Sequence, residues 1–223
     1  MKICIVIPTY NEAKAIAGII RRIRQQELEV VVVDDGSQDN TSEIAKDNGA
    51  IVLRNLINEG KGASLAKGFC YALSRDFEAV ITMDGDGQHL PEEIPYFVRL
   101  ATYSNSGILI GNRMLKRKNM PYVRLFTNKF MSWLISLAAG QSVPDTQCGF
   151  RLIKRQVLER IDLKTSKYET ESEIIIQASR LGFKIESIPV KSIYEGEKSQ
   201  INPVVDTLRF IRFICAQLWT MKP

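Results

Sequence analysis

The chain has 223 residues, of which 45% are hydrophobic and 25% charged, and a formal net charge of +5. That length suits one large domain with a sizeable core, and the composition excludes a disordered chain. The mild basic excess fits an anionic ligand or an anionic membrane surface; it is too small to argue for nucleic acid, and no basic motif with interleaved aromatics appears.

Ile3 to Pro8 is continuous apolar sequence, as expected of a parallel strand covered on both faces. A helix follows, with Ile16, Ile19, Ile20 and Ile23 on one face. Val30 to Val33 reads as a second buried strand that runs into Asp34-Asp35-Gly36-Ser37. Thr41 and Ser42 are expected to cap the next helix, which Asn48-Gly49 closes. Ile51 to Leu53 is a third strand, and Asn58-Glu-Gly-Lys-Gly62 leads into a helix that reaches Ser74. Ala79 to Met83 is a fourth strand, Pro91 opens a helix at a position that tolerates proline, and Ile108 to Ile110 is a fifth strand. Strand and helix alternate to about residue 113, which predicts right-handed βαβ crossovers and a parallel sheet.

Beyond Arg113 the alternation breaks. Lys116 to Met120 reads as a basic loop, 123–139 as an aromatic-rich helix, and Gln147 to Ile153 as a return to the sheet. Thr170 to Leu181 is a helix and Ile185 to Val190 a strand. Tyr194 to Asn202 is loop, and Pro203 to Met221 a last helix with Val204, Leu208, Ile211, Cys215 and Leu218 on one face. The expected division is a domain over 1–202 and an amphipathic appendage over 203–223, which either lies on a bilayer surface or packs against protein.

Cys4, Cys70, Cys148 and Cys215 include no CxxC pair and read as small hydrophobes in a reducing compartment. His89 is the single histidine, so a zinc cluster is not expected. No apolar run reaches the roughly 18 residues of a membrane span. The expectation is a cytoplasmic protein, with peripheral attachment to a membrane.

The chemistry is expected where the fourth strand ends, in Asp84-Gly85-Asp86-Gly87-Gln88. Paired carboxylates and the Gln88 carbonyl are hard oxygen ligands of the kind Mg²⁺ or Mn²⁺ prefers, and Gly85 lets a ligand approach the backbone; the competing reading is an acidic turn facing water. Five other motifs accompany it. In Pro8-Thr-Tyr-Asn-Glu12, Tyr10 can stack on a base and Glu12 can accept from base or ribose, or the stretch is plain strand-to-helix punctuation. Asp34 and Asp35 suit a ribose hydroxyl or base N–H, or a capping turn. Lys61, among glycines ahead of a helix, suits an anion although the GxxxxGK[ST] spacing is absent, or is a solvated lysine in a glycine turn. Asp145, before Gly149 and Phe150, is a candidate acceptor-orienting group or base, or part of a Pro144-Asp145 turn. Arg113, Lys116, Arg117, Lys118 and Arg124 form a basic cluster that reads as a phosphate site or a solvated face.

The ordered series VIPTYNE, VVDDGSQDNT, NEGKGASLAKG, MDGDGQH, GNR, DTQCGF and YEGEKSQ resembles the family 2 glycosyltransferases of GT-A fold, in the branch of dolichol-phosphate mannose synthases and polyprenyl-phosphate glycosyltransferases. The resemblance spans nearly the whole chain. It implies an α/β, Rossmann-like, mostly parallel sheet with helices on both faces, and an inverting transfer from a GDP- or UDP-sugar to a polyprenyl phosphate. By the same resemblance Pro8, Tyr10, Glu12 and Asp35 would contact base and ribose. Asp84, Asp86 and Gln88 would hold Mg²⁺ or Mn²⁺ and, through it, the diphosphate. Arg113, Arg124 and Asn128 would bind the acceptor phosphate, and Lys198 would reach the diphosphate. A peripheral position on the cytoplasmic face and a membrane-bound partner subunit are further expectations. The alternatives are a transferase acting on a polysaccharide or protein hydroxyl, for which Asp145 would be the base, and a non-enzymatic sugar-nucleotide-binding protein.

Overall fold

The structure, a computed structural model, describes residues 1–115, 122–191, 193, 209–210, 212–214 and 216–217. Its strands are β1 (Ile3–Thr9), β2 (Glu29–Asp34), β3 (Ile51–Arg54), β4 (Ala79–Thr82), β5 (Ile108–Asn112), β6 (Arg151–Lys154) and β7 (Ile185–Pro189). Its helices are α1 (Ile16–Arg24), α2 (Thr41–Asp47), α3 (Lys61–Leu73), α4 (Ile94–Tyr103), α5 (Tyr122–Ala139), α6 (Arg155–Leu158) and α7 (Glu169–Arg180). Single 3₁₀ turns cover Pro91–Glu93 and Arg113–Leu115.

The sheet order is β3-β2-β1-β4-β6-β5-β7. All pairings are parallel except those of β6 with β4 and β5. The chain steps outward from β1 to β3 and then crosses back to place β4 on the other side of β1. Right-handed crossovers in opposite directions put α1 and α2 on one face and α3 on the other. The reversal between β1 and β4 is a topological switch point, where crevices open beyond the carboxyl ends of strands in such sheets. β6 is antiparallel because the chain climbs back to that rim before re-entering. At the opposite end of the sheet Gln141 donates to the Phe183 carbonyl and accepts from the Ile185 N–H. Residues 142–150 then return to the rim, where Arg151 stands opposite Thr82 and Ile110.

The core explains the apolar runs. β1 is buried throughout, β2 is buried from Val30 onward, and Ile16, Ile19, Ile20 and Ile23 cover them from α1. Cys4 and Cys148 are buried free thiols and Cys70 is exposed; Cys215 lies outside the described residues. Two local expectations need correction. Thr41 and Ser42 do not cap α2: Ser42 donates to Asp34, and Thr41 receives the Glu12 N–H at 2.9 Å while its hydroxyl bonds Asp39. These contacts join the β1 and β2 loops, a tertiary use that local capping preference does not reveal. The short helix α6 was not anticipated, since four residues carry no periodicity.

In the last stretch, the described residues from Arg209 to Gln217 are helical. Phe210, Phe213 and Ile214 are buried in the main core, and Arg180 donates to Gln217 at 2.8 Å. The remainder of 203–223, and the loop 194–202, lie outside the described residues.

Candidate active site

Asp84 follows β4, and an ammonium from another element meets it. Lys61 opens α3, and its Nζ lies 2.6 Å from Asp84 Oδ1 and 2.9 Å from Glu171 Oε2 on α7. The approach of α3 to α7 depends on Gly62, where an added Cβ would sit 1.9 Å from Thr170 Oγ1. Glu171 is backed in turn by Arg151, whose Nη2 is 3.6 Å from Glu171 Oε1. The Arg151 guanidinium is fully buried and donates to the carbonyls of Cys148, Thr146 and Glu171.

The charges here are strongly coupled. Burial pushes the Asp84 carboxyl upward, but Lys61 beside it, with His89 and Arg113 behind, holds it well below the usual carboxylate range. Burial likewise opposes the Lys61 charge, and Asp84 and Glu171 more than reverse it. Both groups are charged at neutral pH. The Asp84 side chain is 28% exposed, so the pair faces solvent at the rim. Asp86 Oδ1 accepts the Gln88 N–H at 2.9 Å, which shapes the turn, and the Gln88 backbone carbonyl accepts the Ile193 N–H.

His89 staples this turn from beneath. Its Nδ1 accepts the Asp84 N–H at 3.1 Å, and its ring stacks on Phe150, which stacks on Phe97. An accepting Nδ1 means a neutral imidazole. Burial, with Arg113 and Lys61 acting the same way and Asp84 opposing, brings its pKa from 6.5 down to about 4. The unfolded chain therefore gains a proton below about pH 6.5 that the folded chain refuses until about pH 4. His89 adds no pH dependence to stability above that window, and within it stability falls by about 1.4 kcal/mol per pH unit as pH drops. Denaturant unfolding of wild type and His89→Phe across the window checks this: the variant loses that slope, and equal slopes would contradict it.

Asp145 and Arg113 meet at the next corner. Asp145 is wholly buried; its Oδ2 accepts the Arg113 backbone N–H at 3.0 Å and Nε at 2.8 Å, and its Oδ1 accepts Nη2 at 2.9 Å. Asp34 is also wholly buried, accepting from Ser37 N–H and the Ser42 hydroxyl. Asp35 accepts from Asn55 Nδ2 and from the N–H groups of Glu59 and Gly60, and so pins the loop that precedes Lys61. The glycines and Lys61 thus form no open anion cradle in this structure; the Gly60 N–H is directed at Asp35 and the ammonium at Asp84.

Pro8 lies in β1 paired with Val33, and Tyr10 and Glu12 are half-buried on the same rim. Asn128 is half-buried on α5. Lys116, Arg117, Lys118, Lys198 and the side chain of Arg124 lie outside the described residues. The structure thus brings together Lys61, Asp84 and Arg113, with Gly85, Asp86 and Gln88 on the same turn. It also adds groups that sequence reasoning did not single out: Glu171, Arg151 and the Asp84-facing Gly149. An acidic residue in the first turn of a helix reads as dipole compensation, so Glu171 carries no local signal of its own.

A second feature lies on α5. Phe126, Phe130, Trp133 and Leu137 are 75%, 50%, 60% and 54% exposed and recur at helical spacing along one face. Ser132, Ile135, Ala138 and Ala139 face the protein instead.

Comparison with known proteins agrees with this arrangement. Residues 4–162 match the model of the family described as glycosyl transferase family 2. The chain is 30% identical over 207 residues to an undecaprenyl-phosphate mannosyltransferase of Micrococcus luteus, covering 85% of this chain and 83% of that one. It is 29% identical over 215 residues to a UDP-N-acetylglucosamine–dolichyl-phosphate N-acetylglucosaminyltransferase of Methanococcus voltae, covering 86% of each. Its fold is similar to that of glucosyl-3-phosphoglycerate synthase from Mycobacterium tuberculosis, crystallised with Mn²⁺, UDP and glucosyl-3-phosphoglycerate. The TM-score is 0.74 at 19% identity, over 98% of this chain and 79% of that one. At that identity the likeness speaks for the fold, which is the expected α/β GT-A architecture with a mostly parallel sheet. A family match over most of the chain and the motifs in order agree: this chain belongs to glycosyl transferase family 2.

Proposed function

We propose that the protein moves a sugar from a nucleoside diphosphate to a polyprenyl phosphate with inversion at the anomeric carbon. The observation that carries this is the Asp84-Gly-Asp86 turn at the switch point of a family 2 chain, with an ionised Asp84 facing Lys61. The named relatives support the acceptor class. One carries mannose and the other N-acetylglucosamine, yet both names specify a polyprenyl-type phosphate.

The residues fit a divalent cation. Asp84 already holds a cationic partner, and Asp86 lies two residues on along the same turn. Among the described residues no cluster of three His, Cys, Asp or Glu forms a complete cage. Two carboxylates with open positions suit Mg²⁺ or Mn²⁺, which keep waters and bind substrate phosphates. Asp84, Asp86 and Gln88 would hold the ion, which would supply Lewis-acid stabilisation to the departing diphosphate.

The chain's own groups supply the rest. Pro8, Tyr10, Glu12 and Asp35 are assigned to base and ribose, and Lys61, with Lys198, to the pyrophosphate charge. Asp34 leaves the donor set because Ser37 and Ser42 hold both its oxygens in the interior. Asp145 is reassigned from base to the buried anchor of Arg113. A base is not needed for this acceptor. Its phosphate oxygen is ionised at neutral pH, attacks the anomeric carbon and forms the new C–O bond as the bond to the diphosphate breaks. Arg113, Arg124 and Asn128 are assigned to that phosphate.

Incubation of the protein with polyprenyl phosphate and a panel of GDP- and UDP-sugars tests the reading. A lipid-linked sugar is expected from one donor and none with chelator. No product from any donor, or product indifferent to chelator, would overturn it.

The acceptor brings a membrane with it. No helix among the described residues is long and apolar enough to cross one. The aromatic face of α5 is assigned to the bilayer surface on the cytoplasmic side, and the basic sequence Lys116-Arg117-Lys118 precedes that helix in the chain. The Phe130→Asp, Trp133→Asp double variant is expected to bind anionic vesicles about tenfold more weakly. Its rate on a short, water-soluble acceptor should stay within about twofold of wild type. Vesicle co-sedimentation measures the first, and unchanged binding would contradict the assignment.

A further inference from the structure

The Lys61 ammonium sits against Asp84, a carboxylate that the proposed reaction needs for a divalent ion. Such an ion and an ammonium 2.6 Å from Oδ1 compete for one charge. A second carboxylate, Glu171 Oε2 at 2.9 Å, shares the ammonium. Glu171 is a poor candidate for the ion itself. It stands on α7, and Arg151, whose guanidinium also donates to its backbone carbonyl at 2.6 Å, neutralises it from behind. The Arg151 guanidinium is tied to two further carbonyls and has no room to move. The arrangement is one ammonium shared between two carboxylates, Asp84 on the turn after β4 and Glu171 braced on α7.

We propose that Lys61 is a resident cation that holds Asp84 before the divalent ion arrives, and that the ion displaces it onto the donor's pyrophosphate while Glu171, braced by Arg151, keeps it at the site. This rests on the metal-bearing role given above to Asp84. Glu171 is then a positioning residue, acting on the donor through Lys61. Two physical consequences follow. Without donor, Lys61 opposes metal binding because it must be displaced. With donor, Lys61 favours the ternary complex because the phosphates supply the negative charge it has left.

Titration of the full-length protein with Mn²⁺ alone, read by the EPR signal of free Mn²⁺, tests this without turnover. Lys61→Ala is expected to lower the Mn²⁺ Kd about tenfold, the size carried by one displaced charge pair. The same variant should bind UDP or GDP more weakly in saturating Mn²⁺. Glu171→Gln leaves the ammonium to Asp84 alone and should raise the Mn²⁺ Kd; in the Lys61→Ala background that effect should vanish. A Glu171→Gln effect of equal size in both backgrounds would mean a direct field on the ion, and would overturn the proposal. So would unchanged or weaker Mn²⁺ binding by Lys61→Ala, a readout that stands even where the Glu171 variant folds poorly. Absence of Mn²⁺ binding in wild type and Lys61→Ala alike would instead remove the metal site itself, and the proposal with it.

Discussion

Asp86→Ala is expected to lower kcat/KM for sugar transfer by about three orders of magnitude while leaving the fold intact. Asp86 lies beyond the end of β4 on a half-exposed turn, and the core does not depend on its side chain. Losses at such positions are usually within about 0.5 kcal/mol of stability. Its carboxylate is one of two that would hold the cation, and deleting it leaves Asp84, already shared with Lys61, as the sole anionic ligand. Asp84→Ala should be as inactive and less stable, because Lys61 loses one of its two carboxylate partners. Initial rates with Mn²⁺ present and thermal unfolding of the same preparations separate the two effects. Activity within tenfold of wild type in Asp86→Ala would place the chemistry elsewhere.

Gly149→Ala is the second large effect, and it acts through geometry alone. A Cβ at this position would lie 2.6 Å from both Asp84 carboxylate oxygens. The backbone cannot retreat easily. The Gly149 carbonyl accepts the Thr82 hydroxyl at 2.7 Å, and the next carbonyl, that of Phe150, accepts the Gly111 N–H at 2.9 Å. Phe150 itself is wedged between His89 and Phe97. The side chain of Asp84 must therefore swing away from Lys61. We expect about 100-fold lower kcat/KM, the scale on which an ångström of misplacement acts, with about 1–3 kcal/mol lost to crowding. Steady-state kinetics with a denaturant melt checks this, and a fully active Gly149→Ala enzyme would show that Asp84 has freedom the site does not need.

These two residues show what the sequence made legible. The Asp84-Gly-Asp86 turn stood out as a candidate, an apolar strand ending in paired carboxylates, with an acidic turn facing water as its rival. The strands β1 to β5 were legible as short apolar runs, and those of β1, β2 and β4 are buried as a doubly covered sheet requires. Gly149, by contrast, looked like ordinary punctuation before Phe150, since its constraint is a contact with a residue 65 positions earlier. Asp145 shows a partner that local sequence does not carry. A carboxylate beside a Gly-Phe pair resembles a catalytic group, but its three bonds to Arg113 exist only because β5 and the 142–150 loop meet at the rim. The antiparallel placement of β6 was equally illegible, as a four-residue strand carries no sign of its direction.

The same contrast governs the two apolar helices. The periodicity of 203–223 pointed to an amphipathic helix, and Phe210, Phe213 and Ile214 belong to the protein core. The aromatic run 126–137 read only as a helix rich in large residues. Which of its faces is left uncovered depends on how α5 meets α7, and the sequence does not state that.

The most direct test of the account is a crystal of the protein grown with Mn²⁺ and a nucleoside diphosphate, measured at the manganese absorption edge. The account predicts one anomalous peak bound by the carboxylates of Asp84 and Asp86 and by oxygens of the diphosphate, with the Lys61 ammonium moved off Asp84 toward the phosphates. A peak at any other place, or a diphosphate bound with Lys61 still on Asp84 and no metal beside it, would contradict it.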